Sequence, residues 1–107
     1  MTNSLPLSGH EVATLLRDVL DAKVEVHLAT PGQTWRAVYC GIVEFRIGGW
    51  RVGLFNDCDS LDYCEYAQAP DGRKGTFSAW DEAHEEPIIL LTEAEQLALT
   101  DLLDAVR

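Results

Sequence analysis

The stretch WRAVYCGIVEFRIGGWRVGLF, residues 35–55, decides the fold. Gly48-Gly49 separates two runs that are rich in β-branched and aromatic residues, and a two-residue glycine loop suits the positive φ angles of a tight hairpin turn. Placing Ile47 opposite Trp50 sets the register of the two strands. One face of the hairpin then collects the apolar residues Val43, Phe45, Ile47, Trp50, Val52 and Leu54. The other face is charged, so the sequence predicts an amphipathic hairpin that covers a core with one side.

Residues 35–42, ahead of the hairpin, are apolar at nearly every position. In an extended chain, successive side chains point to opposite faces, so both faces of this segment would be apolar. The segment is therefore predicted to be the central part of a strand that is covered on both sides. Cys40 is expected to be a small buried residue in that strand.

Capping boxes predict a helix near each end of the chain. Ser8-Gly9-His10-Glu11 begins a helix over residues 9–22, and Thr92-Glu93-Ala94-Glu95 begins a second helix that continues to about Val106. Apolar residues recur at spacings of three and four along both segments, as on one face of an amphipathic helix.

Three further strands are predicted from alternation and turn residues. Residues 23–29 alternate between apolar and polar side chains, as in a half-buried strand. Residues 61–68 and 75–80 form a second hairpin around the turn Pro70-Asp71-Gly72. Residues 81–87 are then expected to form a polar acidic loop.

This order of elements predicts one α+β domain over residues 1–107. An N-terminal helix precedes an antiparallel meander of four to five strands and a C-terminal helix, with both helices packed on one face of the sheet. The order of the strands stays open, because the connection after the first strand permits more than one neighbour. There is no apolar run of the length that a membrane span or a signal peptide needs, so a cytoplasmic location is expected.

The net charge of −10 lies entirely in the second half of the chain. Residues 1–56 hold five acids and five bases, whereas residues 57–107 hold thirteen acids and three bases. Phosphate backbones and anionic membranes repel such a surface, which argues against direct nucleic-acid binding and against membrane binding. A basic protein surface is the partner that this charge favours. The oligomeric state stays open.

The segment NDCDSLDYCE, residues 56–65, concentrates acids and thiols. A structural interpretation is that Asn56, Asp57, Asp59 and Ser60 hold a tight turn by hydrogen bonding to their own backbone. Cys64 would then be a small buried hydrophobic residue. The segment does not fit a calcium loop, because Leu61 stands where the fifth-position ligand belongs.

The alternative interpretation of this segment is a metal- or thiol-dependent site built from Cys58 and Cys64. Their separation is wider than the usual spacing of zinc ligands, although Cys40 and His84 would complete a set if the fold brought them near. Reversible oxidation of Cys58 with Cys64 is the thiol version of this hypothesis. The neighbouring acids favour neutral thiols, which argues against a catalytic cysteine.

The leading hypothesis is a non-enzymatic interaction module, of the inhibitor, immunity or adaptor type, that meets a basic protein through its acidic half. No cofactor is expected. The hypothesis places partner binding at Trp50, Asp57, Asp59, Asp62 and Glu65. Trp50 is included because an exposed aromatic side chain beside an acidic loop would suit a protein interface.

Four stretches in the middle of the chain carry a resemblance to a known family. They are Trp35 to Gly41, Gly49-Trp50-Arg51, Phe55 to Cys64, and Ala69 to Arg73. Through these stretches the chain resembles a small bacterial family that is catalogued only as a domain of unknown function. The resemblance implies a compact stand-alone bacterial protein, and it implies no activity and no ligand.

Overall fold

Both predicted capping boxes are present in the computed structural model, which describes residues 6–107. The first five residues, which the predicted domain includes, lie outside the described part. The Ser8 hydroxyl accepts from the Glu11 amide at 3.1 Å, and Thr92 and Glu95 repeat this contact. These caps begin α1 (Gly9–Leu20) and α4 (Glu93–Ala105). Helix α1 ends two residues earlier than predicted.

Between the two long helices, the chain forms five strands and two short helices. In chain order these are β1 (Val26–Leu28), α2 (Trp35–Val38), β2 (Cys40–Ile47), β3 (Trp50–Asp57), β4 (Leu61–Gln68), β5 (Lys74–Thr76) and α3 (Phe77–Glu82). The strands lie side by side in sequence order, each antiparallel to the next. The predicted α+β meander is therefore confirmed. No helix within residues 6–107 has the length and apolar character needed to cross a membrane.

The hairpin of β2 and β3 has the predicted register. Ile47 pairs with Trp50, and the pairs that follow bring Phe45 opposite Val52. The inner face of this hairpin is fully buried apart from Trp50, and it shares one core with the apolar stripes of α1 and α4. Gly48 has a φ of +52°, and a Cβ there would lie 2.3 Å from a side-chain carbon of Val24.

Residues 35–42 do not form the central strand that their apolar character predicts. The Thr34 hydroxyl accepts from the Ala37 amide at 3.1 Å and begins the single turn of α2. This turn buries Trp35, whose ring lies 6.4 Å from that of Phe45. The chain then reverses at Tyr39, which has a φ of +59°. Cys40 is consequently exposed, and the prediction that it is buried is wrong.

The predicted return strand over residues 75–80 is also partly wrong. Strand β5 ends at Thr76, and α3 follows at once. The helical turn folds Trp80 back over Gly75, where a Cβ would lie 2.5 Å from the indole ring. The indole N–H of Trp80 donates to the Leu7 carbonyl at 2.9 Å. Burial of this ring by a short helix stabilises the fold more than four further strand residues at the edge of the sheet would.

The acidic segment over residues 81–87 contains a buried carboxylate, contrary to the prediction of a polar loop. Glu86 is 2% exposed. Its carboxylate accepts from the backbone amides of Cys64 at 2.8 Å, Ile88 at 2.9 Å and Ile89 at 3.2 Å. Burial raises the pKa of Glu86, and the three amides offset part of that effect. Glu86 thus joins the segment before α4 to strand β4.

We expect Glu86→Ala to lower the free energy of unfolding by about 2–3 kcal/mol, because buried amides lose their acceptor. The matched control is Glu85→Ala, since that neighbouring side chain is partly exposed and, among residues 6–107, forms an ion pair only with His10, at 3.6 Å. Chemical denaturation of both variants checks this expectation. Equal stability of the two variants would show that the Glu86 contacts contribute nothing.

Candidate functional site

Residues 57–60 form the tight turn between β3 and β4, as the structural interpretation of this segment predicts. The Asp57 amide donates to the Ser60 carbonyl at 2.8 Å, and the Ser60 amide donates back to Asp57 at 3.1 Å. The two residues between them, Cys58 and Asp59, have φ angles of +52° and +75°. Positive φ at both loop positions is typical of a type I′ turn, where Asn-Gly is preferred. Here both positions carry a Cβ, so the turn is strained.

Asn56 holds this strained turn in place. Its side chain is fully buried. The side-chain carbonyl oxygen accepts from the Asp59 amide at 2.8 Å, and the side-chain amide donates to the Trp35 carbonyl at 2.8 Å. The Asp59 amide also lies 3.3 Å from the carbonyl of Tyr39. One buried amide therefore ties the β3–β4 turn to the α2–β2 junction.

This junction brings two thiols together. Cys40 pairs with Asp57 across β2 and β3, and Cys58 is the next residue along the chain. The Sγ atoms of Cys40 and Cys58 lie 2.8 Å apart, and both residues are exposed. One ligand atom from each of Cys40, Asp57 and Cys58 lies within 4.8 Å of the other two. The site thus consists of two thiols and a carboxylate on the protein surface.

Cys64 belongs to the core rather than to this site. It is fully buried, and its thiol donates to the Tyr66 carbonyl at 3.4 Å. Burial, reinforced by the nearby Glu86 carboxylate, raises the pKa of the Cys64 thiol. The structural interpretation of Cys64 is therefore confirmed. The structure does not bring Cys64 to Cys58, so a Cys58–Cys64 site or disulfide has no support.

The sequence contains an indication that Cys40 lies close to Cys58. The register that places Ile47 opposite Trp50 also places Cys40 opposite Asp57 if the ladder continues to its end. The apolar character of residues 35–42 predicts a buried strand, which would place Cys40 inside the core and away from an exposed turn. The exposed position of Cys40 follows from the turn of α2 and the reversal at Tyr39.

The electrostatic environment keeps the Cys58 thiol protonated. The hydrogen bond with Cys40 raises the pKa of Cys58 to about 11, with smaller contributions from desolvation and from the negative charge of Asp57. An activated cysteine nucleophile needs the opposite, a pKa lowered by a nearby cation or a helix N-terminus. Cys58 is therefore poorly suited to act as a nucleophile at neutral pH.

The predicted partner-binding residues divide between the two ends of β3. Asp57 and Asp59 lie on the β3–β4 turn, and the exposed Asp62 and partly buried Glu65 follow on β4. Trp50 is only partly exposed and lies at the other end of β3. With a rise of about 3.3 Å per residue, it is roughly 23 Å from Asp57 along the strand. Trp50 is therefore not beside the acidic turn.

Helix α4 supplies acids and an apolar side chain that sequence reasoning did not include. Glu93 and Leu97 line one shallow recess together with Asp59. Leu97 is 64% exposed, and Tyr39, whose carbonyl contacts the turn, is 55% exposed. We call this surface the turn patch, and its residues are Tyr39, Asp57, Asp59, Glu93 and Leu97.

The acids of the turn patch are not neutralised by the arginines. Arginine–carboxylate ion pairs form at other places on the protein, and they are Arg17–Glu95, Arg36–Asp104, Arg51–Glu44, Arg73–Glu11 and Arg73–Asp71. Within residues 6–107, Asp57, Asp59 and Glu93 take part in none of the ion pairs. Among the described residues, no direct ion pair therefore offsets the formal charge of the turn-patch acids.

Comparison with known proteins gives a family and no activity. A family model described as "Domain of unknown function (DUF7693)" matches residues 6–105. The match covers every helix and strand from α1 to α4, so it includes the turn patch and both exposed thiols. No curated protein and no solved structure matches the chain.

We expect Asn56→Ala to lower the free energy of unfolding by about 1–3 kcal/mol, because the Asp59 amide and the Trp35 carbonyl each lose one hydrogen bond and keep only their contacts with the backbone of Tyr39. Hydrogen exchange of the Asp59 amide should accelerate more than exchange in the β2–β3 ladder. Ser60→Ala is the control, because its exposed side chain lies in the same turn. If both variants exchange at the same rate at Asp59, the Asn56 side chain does not hold the turn.

Proposed function

The chain belongs to the family described as a domain of unknown function (DUF7693), and we propose that it is a non-enzymatic interaction module. It binds a basic protein surface through the turn patch. The observation that carries this proposal is the unpaired charge of the patch: Asp57, Asp59 and Glu93 are exposed, and among residues 6–107 no basic side chain pairs with them.

Two exposed apolar side chains at the patch support this proposal. Isolated exposed leucines are common on protein surfaces and need no explanation. Here Leu97 and Tyr39 adjoin a turn that Asn56 and the strand ladder hold rigid. Protein interfaces combine apolar and aromatic anchors with a polar rim, and a rigid surface loses little entropy on binding.

A non-enzymatic role agrees with the chemistry of the titratable groups. The Cys58 thiol is held neutral, and the Cys64 thiol and the Glu86 carboxylate are buried and engaged with the backbone. Neither buried group faces the turn patch as a free acid or base.

The partner that fits the turn patch presents clustered lysine or arginine side chains. Opposite charges steer the encounter and raise the association rate, and this contribution falls as salt screens the charges. Nucleic acid does not fit, because its phosphates would meet the same carboxylates.

We expect Asp59→Lys/Glu93→Lys to weaken partner binding at least about tenfold, because each reversal replaces attraction by repulsion. The matched control is Asp21→Lys/Glu25→Lys, which changes the net charge equally on exposed residues away from the turn patch. The three immobilised proteins are exposed to a lysate of the source cells, and bound proteins are eluted with a salt gradient and quantified by mass spectrometry.

Comparison of the patch variant, Asp59→Lys/Glu93→Lys, with the control variant tests the proposal. A protein that is retained by wild type and by the control, and lost by the patch variant, supports the turn patch as its binding surface. Equal loss from both variants would mean that only net charge matters. Equal retention by all three proteins would place binding elsewhere.

A second candidate function is binding of a thiophilic divalent cation by Cys40, Asp57 and Cys58. The specific observation is that their ligand atoms lie within 4.8 Å of one another. Zinc accepts thiolate and carboxylate ligands in a tetrahedral arrangement, and an exposed three-ligand site leaves the fourth position to water. A cation would displace the thiol protons, so that each cysteine binds it as a thiolate.

We expect Zn²⁺ to bind reduced protein with one-to-one stoichiometry and with an affinity that falls as the pH falls, because protons compete for the thiols. Competition with a chromophoric zinc chelator measures the affinity. Cys40→Ser and Cys58→Ser should each weaken binding at least about tenfold, whereas Cys64→Ala should not. Unchanged affinity in the Cys40→Ser/Cys58→Ser double variant would reject this site.

A further inference from the structure

We propose that Cys40 and Cys58 close a reversible internal disulfide, which makes the β3–β4 turn a site of thiol–disulfide exchange. This inference goes beyond the binding function and needs neither a protein partner nor a metal. Its first support is the contact between the two Sγ atoms at 2.8 Å. Its second support is that both thiols are exposed, so a small reactant reaches either sulfur from solvent.

The backbone already brings the two cysteines together. A disulfide requires Cα atoms within about 7 Å of each other and Cβ atoms that point towards one another. Strand pairing places Cys40 opposite Asp57, the residue before Cys58. The left-handed conformation of Cys58 then directs its side chain back towards β2, where it meets the Cys40 thiol. The bond forms when the two Sγ atoms approach from 2.8 Å to the S–S bond length of about 2.05 Å.

Backbone strain marks the same position. Non-glycine residues with positive φ are uncommon, and Tyr39, Cys58 and Asp59 all have φ between +52° and +75°. Such strained residues cluster at functional sites, where the surrounding structure holds them. Asn56 holds these residues in place, because its side chain hydrogen-bonds to the Trp35 carbonyl, ahead of Cys40, and to the Asp59 amide, after Cys58.

The oxidant is a small-molecule disulfide, of which oxidised glutathione is the example. The thiolate of one cysteine attacks one glutathione sulfur, which forms a mixed disulfide and releases one glutathione thiolate. The thiolate of the other cysteine then attacks the protein sulfur of that mixed disulfide, which forms the Cys40–Cys58 bond and releases the second glutathione. Two electrons pass from the protein to glutathione, and the two thiol protons go to the released thiolates or to solvent.

Exchange at this site depends on pH. The titratable groups that face the Cys58 thiol are Cys40 on β2 and Asp57 on β3. Only the thiolate reacts, and below the pKa of the attacking thiol the thiolate fraction grows about tenfold per pH unit. The oxidation therefore accelerates as the pH rises.

The test uses reduced full-length protein and oxidised glutathione at several pH values between 7 and 9, with a metal chelator present throughout. Remaining thiols are alkylated, and intact mass and peptide mapping identify the products. We expect one internal disulfide between Cys40 and Cys58, a rate that rises about tenfold per pH unit, and full reversal by dithiothreitol. The closed form should melt on the order of 10 °C higher than the reduced form.

Cysteine variants make the result specific. Cys40→Ser and Cys58→Ser should each stop at a single glutathione adduct, since the second thiol is missing. Cys64→Ala should close the disulfide at the wild-type rate. Wild type that accumulates only glutathione adducts, or remains reduced at every pH, would overturn the proposal. An internal disulfide that persists in Cys40→Ser would overturn it equally, because Cys58 would then be pairing with Cys64.

Discussion

The candidate site depends on the buried side chain of Asn56. Its two hydrogen bonds join the Trp35 carbonyl to the Asp59 amide, at 2.8 Å each. Each of these hydrogen bonds contributes about 0.5–1.5 kcal/mol to the stability of the fold. Together they offset part of the cost of two non-glycine residues in left-handed conformations at the turn. The same side chain joins the two backbone segments that carry Cys40 and Cys58.

The thiol pair and the turn patch occupy the same surface. Cys58 lies between Asp57 and Asp59, and Cys40 follows Tyr39 directly. A bond or a cation at the two sulfurs would therefore act on the residues that are proposed to meet a partner. Closing the disulfide would link the turn covalently to β2, and a bound cation would cancel part of its negative charge. Because the thiol pair and the turn patch share one surface, a chemical change at the sulfurs would alter the electrostatics of the turn patch.

Much of the fold was predictable, because its signals are local. The capping boxes fixed the start of both long helices, and Gly48-Gly49 fixed the register of the central hairpin. The errors lie where a short helix replaces an apolar segment, at Trp35 and at Trp80. In both places, the chain forms a helix that buries a tryptophan, although the sequence pattern predicts a strand. The pattern of apolar and polar residues does not show which side chain the core can accommodate.

The site was predictable only in part. The turn-forming residues and the buried Cys64 were expected from their chemistry, whereas the partner of Cys58 was not. The exposed Cys40 depends on the reversal at Tyr39, and the buried Glu86 depends on amides from β4 and from its own segment. These contacts arise from tertiary structure, which residue types and spacings do not specify. The separation of Trp50 from the acidic turn, in contrast, was predictable, because the predicted strand already places them at opposite ends.

The most direct test of this account is the equilibrium constant for closing the Cys40–Cys58 disulfide in a glutathione redox buffer, measured for wild type and for Asn56→Ala under conditions in which both proteins are folded. If Asn56 holds the two thiols together, wild type should close the disulfide at least about tenfold more favourably than the variant, since pre-organisation is lost with the amide. Equal constants would contradict the account, because the thiol pair would then form without the contact on which the site is argued to depend.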